Sequence, residues 1–143
     1  MLYDFLMLSK SLVKAIVFLI FVVVVGTPLF YFRWGVYPYT LAKQSFFQIF
    51  VEIIFFLWLA LAVFDGRYRP RRTLLKYAAA IFLAALVLSS IFGVDAWRSM
   101  WSTYERAIGV VAIAHLMALA LVVSSLRKEI PWMKLFYASL AAA

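Results

Sequence analysis

Residues 45–64 read SFFQIFVEIIFFLWLALAVF, twenty residues with Glu52 as the sole ionisable group. A helix rises 1.5 Å per residue, and the hydrocarbon core of a bilayer is about 30 Å thick, so roughly twenty apolar residues are what one crossing requires. A spanning helix also satisfies its backbone hydrogen bonds internally, which no open strand can do in lipid. The stretch therefore predicts a transmembrane helix. Three further runs have the same character, over residues 15–32, 77–94 and 107–126, and a shorter one begins at Trp132 and reaches Ala143. The expected fold is all-α: a polytopic transmembrane bundle with four full spans and the start of a fifth.

Composition agrees with this reading. Hydrophobic residues make up 68% of the 143 and charged residues 14%, whereas a soluble domain has about half and about a quarter. A chain this short has no interior large enough to hide so much Phe, Leu, Val and Ala. The chain has no Cys, which excludes a disulfide framework and a thiolate metal site, and one His, which excludes a histidine-rich metal site within it. No metal or cofactor is expected. The net charge of +8 is not arranged as a nucleic-acid groove.

Instead the charge follows the gaps between runs. Lys10 and Lys14 precede the first, Arg67, Arg69, Arg71, Arg72 and Lys76 fill the second gap, and Arg127, Lys128 and Lys134 surround the fourth, so that ten of the fourteen basic residues fall on one side. The positive-inside rule makes that side cytoplasmic. The N-terminus is then inside, residues 33–44 and 95–106 face outward, and the location is a bacterial inner membrane. The first run is too long for a signal-peptide core and reads as a retained anchor. Because the final run is too short to cross, residues 1–143 are expected to be one transmembrane domain at the N-terminal end of a larger polytopic protein.

Polar groups inside the runs are expensive, and by default mark function. Ser45, Gln48 and Glu52 share a helix face at i, i+3 and i+7. That stripe should look into the bundle or a wet cavity. His115 sits alone in the fourth run at a depth similar to that of Glu52, so the two can form an intramembrane polar pair. The alternatives are a Glu52 that is simply hydrogen-bonded packing and a His115 bonded to a nearby carbonyl. Ala80 and Ala84, and Ala114 and Ala118, have the spacing of small-residue packing faces.

The gap from Asp95 to Arg106 reads as an amphipathic interfacial helix between spans three and four. Trp97, Trp101 and Tyr104 lie on one face, and Arg98, Ser102, Glu105 and Arg106 on another. Arg98 and Arg106 have the forked donors that match phosphate oxygens, with Glu105 placed to orient them. An aromatic belt with an internal Arg–Glu pair is the plainer alternative.

Two blocks carry a resemblance. The first is Lys43, Phe46-Phe47, Glu52, Trp58 and Tyr68-Arg69-Pro70. The second is Ser89-Ser90-Ile91-Phe92-Gly93-Val94-Asp95, Arg98-Ser99, Trp101, Tyr104-Glu105-Arg106, Gly109 and His115. In order and spacing, over about residues 28–126, they resemble the early part of bacterial O-antigen ligase-like and O-antigen polymerase-like membrane proteins. The resemblance implies an integral-membrane glycosyltransferase that takes a glycan from a polyprenyl diphosphate carrier and passes it to an acceptor on the outer face, with no nucleotide sugar and no metal. It implies too that the main catalytic residues lie further along a longer chain, and that residues 1–143 alone are inactive. The rival expectation is a non-enzymatic scaffold or transporter subunit.

Overall fold

The structure is a computed structural model, and it describes residues 2–30, 40–70, 72–103 and 108–142. Among these residues the α-helices are, in order, α1 (Leu2–Leu29), α2 (Thr40–Phe64), α3 (Leu74–Ile91), α4 (Ala96–Trp101), α5 (Val110–Ser125) and α6 (Trp132–Ala142), with a 3-10 turn at Gly66–Tyr68. No strand occurs among the described residues.

Among the described residues, three helices are long and apolar enough to cross a membrane: Met7–Leu29 within α1, Thr40–Phe64 and Leu74–Ile91. The expected fourth full span is shorter than its sequence suggested. α5 covers 16 residues, about 24 Å at 1.5 Å per residue, against a core of about 30 Å. Its helix starts only after Gly109, and Ala107 lies outside the described residues. α6, the expected partial fifth, has 11 residues. α1 departs in the other direction, since it begins thirteen residues before the apolar run does. Leu, Met, Lys and Ala are all good helix formers, so the helix runs on past the point where hydropathy falls. Pro28 sits one residue from its end, where a kink or helix stop costs least.

The core has a clear periodic origin. Val13, Ile16, Ile20 and Val23 from α1 meet Ile54, Trp58 and Leu61 from α2, and Val122, Leu126 and Ile130 close over them. Spacings of three and four residues put the α1 set and the α2 set each on one stripe of its helix, while Leu126 and Ile130 come from the turn after α5. α1 and α2 form the main antiparallel hairpin, α5 packs on α2, and α6 packs on α1. The crossing of α1 and α2 is close because Gly26 has no side chain: the ring of Phe46 comes within 2.8 Å of where a Cβ would sit.

α3 stands apart. Among the described residues it packs mainly against α5 and α4, and Leu74, Leu75, Ile81, Phe82, Leu88 and Ile91 are exposed. An apolar surface of this extent needs lipid or protein around it, not water. Its inward stripe is Ala79, Leu83, Leu86 and Ser90; Ala80 and Ala84 are exposed. The small-residue spacing at Ala80 and Ala84 therefore does not mark a helix contact here, whereas Ala114 and Ala118 on α5 are half-buried. Ser90, whose hydroxyl donates to Leu86 O at 2.9 Å, is the buried polar group of α3.

Candidate functional site

The antiparallel order brings the start of α1, the turn after α2 and the turn after α5 to one end of the bundle. The charge alternation along the chain becomes a basic end in space. Asp65 is the organising group there. It follows directly on α2, is 7% exposed, and caps the 3-10 turn. Its carboxylate accepts from the Arg67 backbone N–H at 3.1 Å and from Arg67 Nη2 at 2.7 Å. It also accepts from Ser9 Oγ at 3.1 Å, across 56 residues of sequence. The Arg67 hydrogen bonds, reinforced by Ser9, hold the Asp65 carboxyl below its ordinary range, at about 2, against the opposing effect of burial. Arg69 closes the same corner: its Nε donates to Ala62 O at 3.0 Å, satisfying a carbonyl at the C-terminus of α2. Trp58 Nε1 donates to Tyr68 O at 3.2 Å from inside the core. The sequence marks Arg67 to Arg72, with Tyr68 and Pro70 among them, as a basic patch able to touch anionic lipid, but it does not single out Asp65 or Ser9. The signal was there in a lone carboxylate, Asp65, set between a span and a run of arginines; the partner Ser9 has no such signal.

Midway along the bundle the structure brings Glu52 and His115 together, with His115 Nε2 3.1 Å from Glu52 Oε1. The other ring nitrogen, Nδ1, lies 2.7 Å from Val111 O. The two sequence alternatives for His115 thus both occur in one side chain. A carbonyl only accepts, so Nδ1 carries a proton. The contact with Glu52 then contains one shared proton, either on Nε2 facing a carboxylate or on the carboxyl facing a neutral ring. The imidazole side chain is 15% exposed and the carboxylate 59%. The Ser45, Gln48 and Glu52 stripe borders the buried face of α2 rather than forming it: Ser45 and Glu52 are exposed, and the core face is Val51, Ile54, Trp58 and Leu61.

At the opposite end, α4 is shorter than the expected interfacial helix. Asp95 starts it by accepting from Arg98 N at 2.9 Å, an N-cap of the usual kind. Ser102, at φ 67°, stops it after six residues. That backbone region is not helical, so α4 ends at Trp101. Ser102 is consequently off the helix, while Tyr104, Glu105 and Arg106 fall outside the described residues. Trp97 and Trp101 do pair, with ring centroids 5.8 Å apart. Arg98 is exposed on α4 and forms no ion pair with Glu52 or any other acid among the described residues. α4 is held in place by Gly109, whose α-carbon lies so close to the backbone of Met100 and Trp101 that a Cβ has no room. No cluster of His, Asp or Glu suited to a metal ion occurs among the described residues.

No family model matches this chain, and neither a curated protein nor a solved structure resembles it detectably.

Proposed function

We propose that the chain is the N-terminal membrane part of an O-antigen ligase-like glycosyltransferase. In this reading the basic end lies in the cytoplasm of a bacterium and α4 lies at the outer face of the inner membrane. α5 makes the fourth crossing and α6 begins a fifth. The substrate is a glycan on a polyprenyl diphosphate carrier, passed to an acceptor on the outer face. The observation that carries the proposal is the segment from Ser89 to His115. Its residue pattern is the one that resembles that family, and its geometry suits the substrate. α4 sits between the ends of α3 and α5, its Trp97–Trp101 pair matches the headgroup layer, and Arg98 is open to a ligand beside it. A guanidinium meets a diphosphate with two parallel hydrogen bonds, which a lysine cannot do. Arg106 and Glu105 complete the site in this proposal.

The test uses the gene product as encoded, in membrane vesicles supplied with lipid-linked glycan and acceptor. Hydrogen bonds to charged groups contribute about 1.5–3 kcal/mol each, so Arg98→Ala and Arg106→Ala should slow transfer roughly tenfold to a hundredfold. Arg98→Lys should recover only part. Parental transfer rates in all three variants, at normal insertion levels, would leave the arginines as interface anchors and remove the proposal's site.

A second reading rests on the Glu52–His115 contact. A proton shared between two helices in mid-span suits a subunit of a transporter as well as a glycosyltransferase. Loss of solute uptake in Glu52→Ala vesicles, with no glycan transfer by the parent, would favour it.

A further inference from the structure

The basic end holds a feature that glycan transfer at the other end does not use. α3 and α5 diverge there and enclose a groove of about 980 Å³. Its floor is apolar and smooth: Ala79 and Leu83 from α3, with Ala114, Met117, Ala118 and Leu121 from α5. Its mouth is polar and positive, formed by Arg69, Lys76, Arg127 and Lys128, with Glu129 as the acid among the lining residues. Arg67 also reaches the mouth, but its guanidinium is already bound to Asp65.

We propose that this groove binds one anionic glycerophospholipid. An acyl chain lies on the alanine floor between α3 and α5, and the headgroup phosphate meets Lys76, Arg127 and Lys128. Three observations select that occupant. The mouth carries four cations, Arg69 included, against one carboxylate, which is charge complementarity for an anion. The floor is shared by α5 and α3, and α3 is a helix apolar and long enough to cross a membrane yet little covered by protein. Only an amphiphile matches both ends, since a nucleotide or free phosphate would leave the floor empty. The mouth also lies at the N-terminus of α3, where unpaired backbone N–H groups favour an anion. Thr73, the N-cap residue, makes no side-chain capping bond, so its hydroxyl is available to the headgroup. The volume stands at the upper end of small-molecule sites, about 300–1,000 Å³, as a chain-bearing ligand requires.

Binding is measured on protein purified in a neutral detergent, by native mass spectrometry and by thermal melting. The probes are phosphatidylglycerol and phosphatidylcholine with identical chains, and glycerol phosphate as the chainless headgroup. Phosphatidylglycerol should bind at least tenfold tighter than phosphatidylcholine, and glycerol phosphate should not bind at lipid concentrations. A basic residue near an anionic headgroup is worth about fivefold in affinity, so Arg127→Ala with Lys128→Ala should cost phosphatidylglycerol more than tenfold and leave phosphatidylcholine unchanged. Both positions are exposed, so this variant should fold normally. Lys10→Ala, a cation at the same end that does not line the groove, should bind as the parent does. Ala118→Phe, which fills the floor, should weaken both lipids. Equal affinity for the two lipids overturns the proposal, as does an Arg127→Ala, Lys128→Ala variant that keeps its phosphatidylglycerol preference. Cross-linking through Ala118→Cys that traps a second copy in the groove, to the exclusion of lipid, overturns it too.

Discussion

The Glu52–His115 contact is open to a direct energetic test by a double-mutant cycle with Glu52→Ala and His115→Ala. The contact is a single 3.1 Å hydrogen bond between α2 and α5, with the histidine mostly covered and the carboxylate mostly open. Intramembrane polar contacts of this kind couple by about 0.6 kcal/mol on average and by about 1.7 kcal/mol at most. The open carboxylate sets the expectation toward the lower end, at about 0.5–1 kcal/mol. Each single variant costs more than the coupling. His115→Ala also loses the bond to Val111 O, but that bond lies within α5 and cancels from the cycle. Glu52→Gln adds a second reading. A glutamine amide can donate to an unprotonated Nε2, so it preserves the contact if the ring is neutral. If the parent pair is an imidazolium facing a carboxylate, the amide oxygen still accepts from Nε2–H but carries no charge, so the same change costs part of what Glu52→Ala costs. The assay is reversible unfolding in mixed detergent micelles, followed by helical circular dichroism. Strict additivity of the two single losses, within an error of about 0.3 kcal/mol, would show that the side chains do not meet and would refute the helix placement that joins them.

The basic end should respond to acid. Asp65 has its folded carboxyl lowered from an ordinary 3.8 to about 2, so its contribution is fully present above pH 4 and is lost as pH falls from about 4 to about 2. Solvent around Arg67 screens the pair, so the loss at pH 2 should be about 1 kcal/mol, and Asp65→Asn should melt lower at pH 7 while showing a flatter acid limb. The two crowded glycines should behave differently. Gly109→Ala drives a Cβ into the backbone of Met100 and Trp101 and should detach α4, read as new protease cutting near residue 102. Gly26→Ala meets only the movable ring of Phe46, and should cost little in melting temperature. Orientation is tested with single cysteines in this cysteine-free chain: Ser102→Cys should react with an impermeant thiol reagent in intact spheroplasts and Thr73→Cys only after the membrane is opened, and the reverse pattern would put α4 in the cytoplasm.

The sequence showed where helices must be but not where they end. Hydropathy reports burial in lipid, and the helix in α1 continues through Tyr3, Asp4, Lys10 and Lys14 because backbone propensity does not depend on hydropathy. The α4 boundary had the opposite cause. The aromatic and charged faces of residues 95–106 fit a helical wheel, but the backbone of Ser102 turns out of the helix, and no side-chain pattern encodes that. Glu52 and His115 were legible because two polar residues at similar depth in two apolar helices have few other partners. The Asp65 corner was not, because its force lies in a contact to Ser9 that depends on how α1 and α2 pair. The same physics bears on the Ala80 and Ala84 spacing of α3. A stripe of alanines is a packing face only when another helix lies against it, and on α3 both Ala80 and Ala84 are exposed. That leaves the alanine-rich floor between α3 and α5 open at the end where the cations gather. Small residues that fail to close a helix contact create space, and in a bilayer that space is filled by whatever amphiphile has the complementary charge.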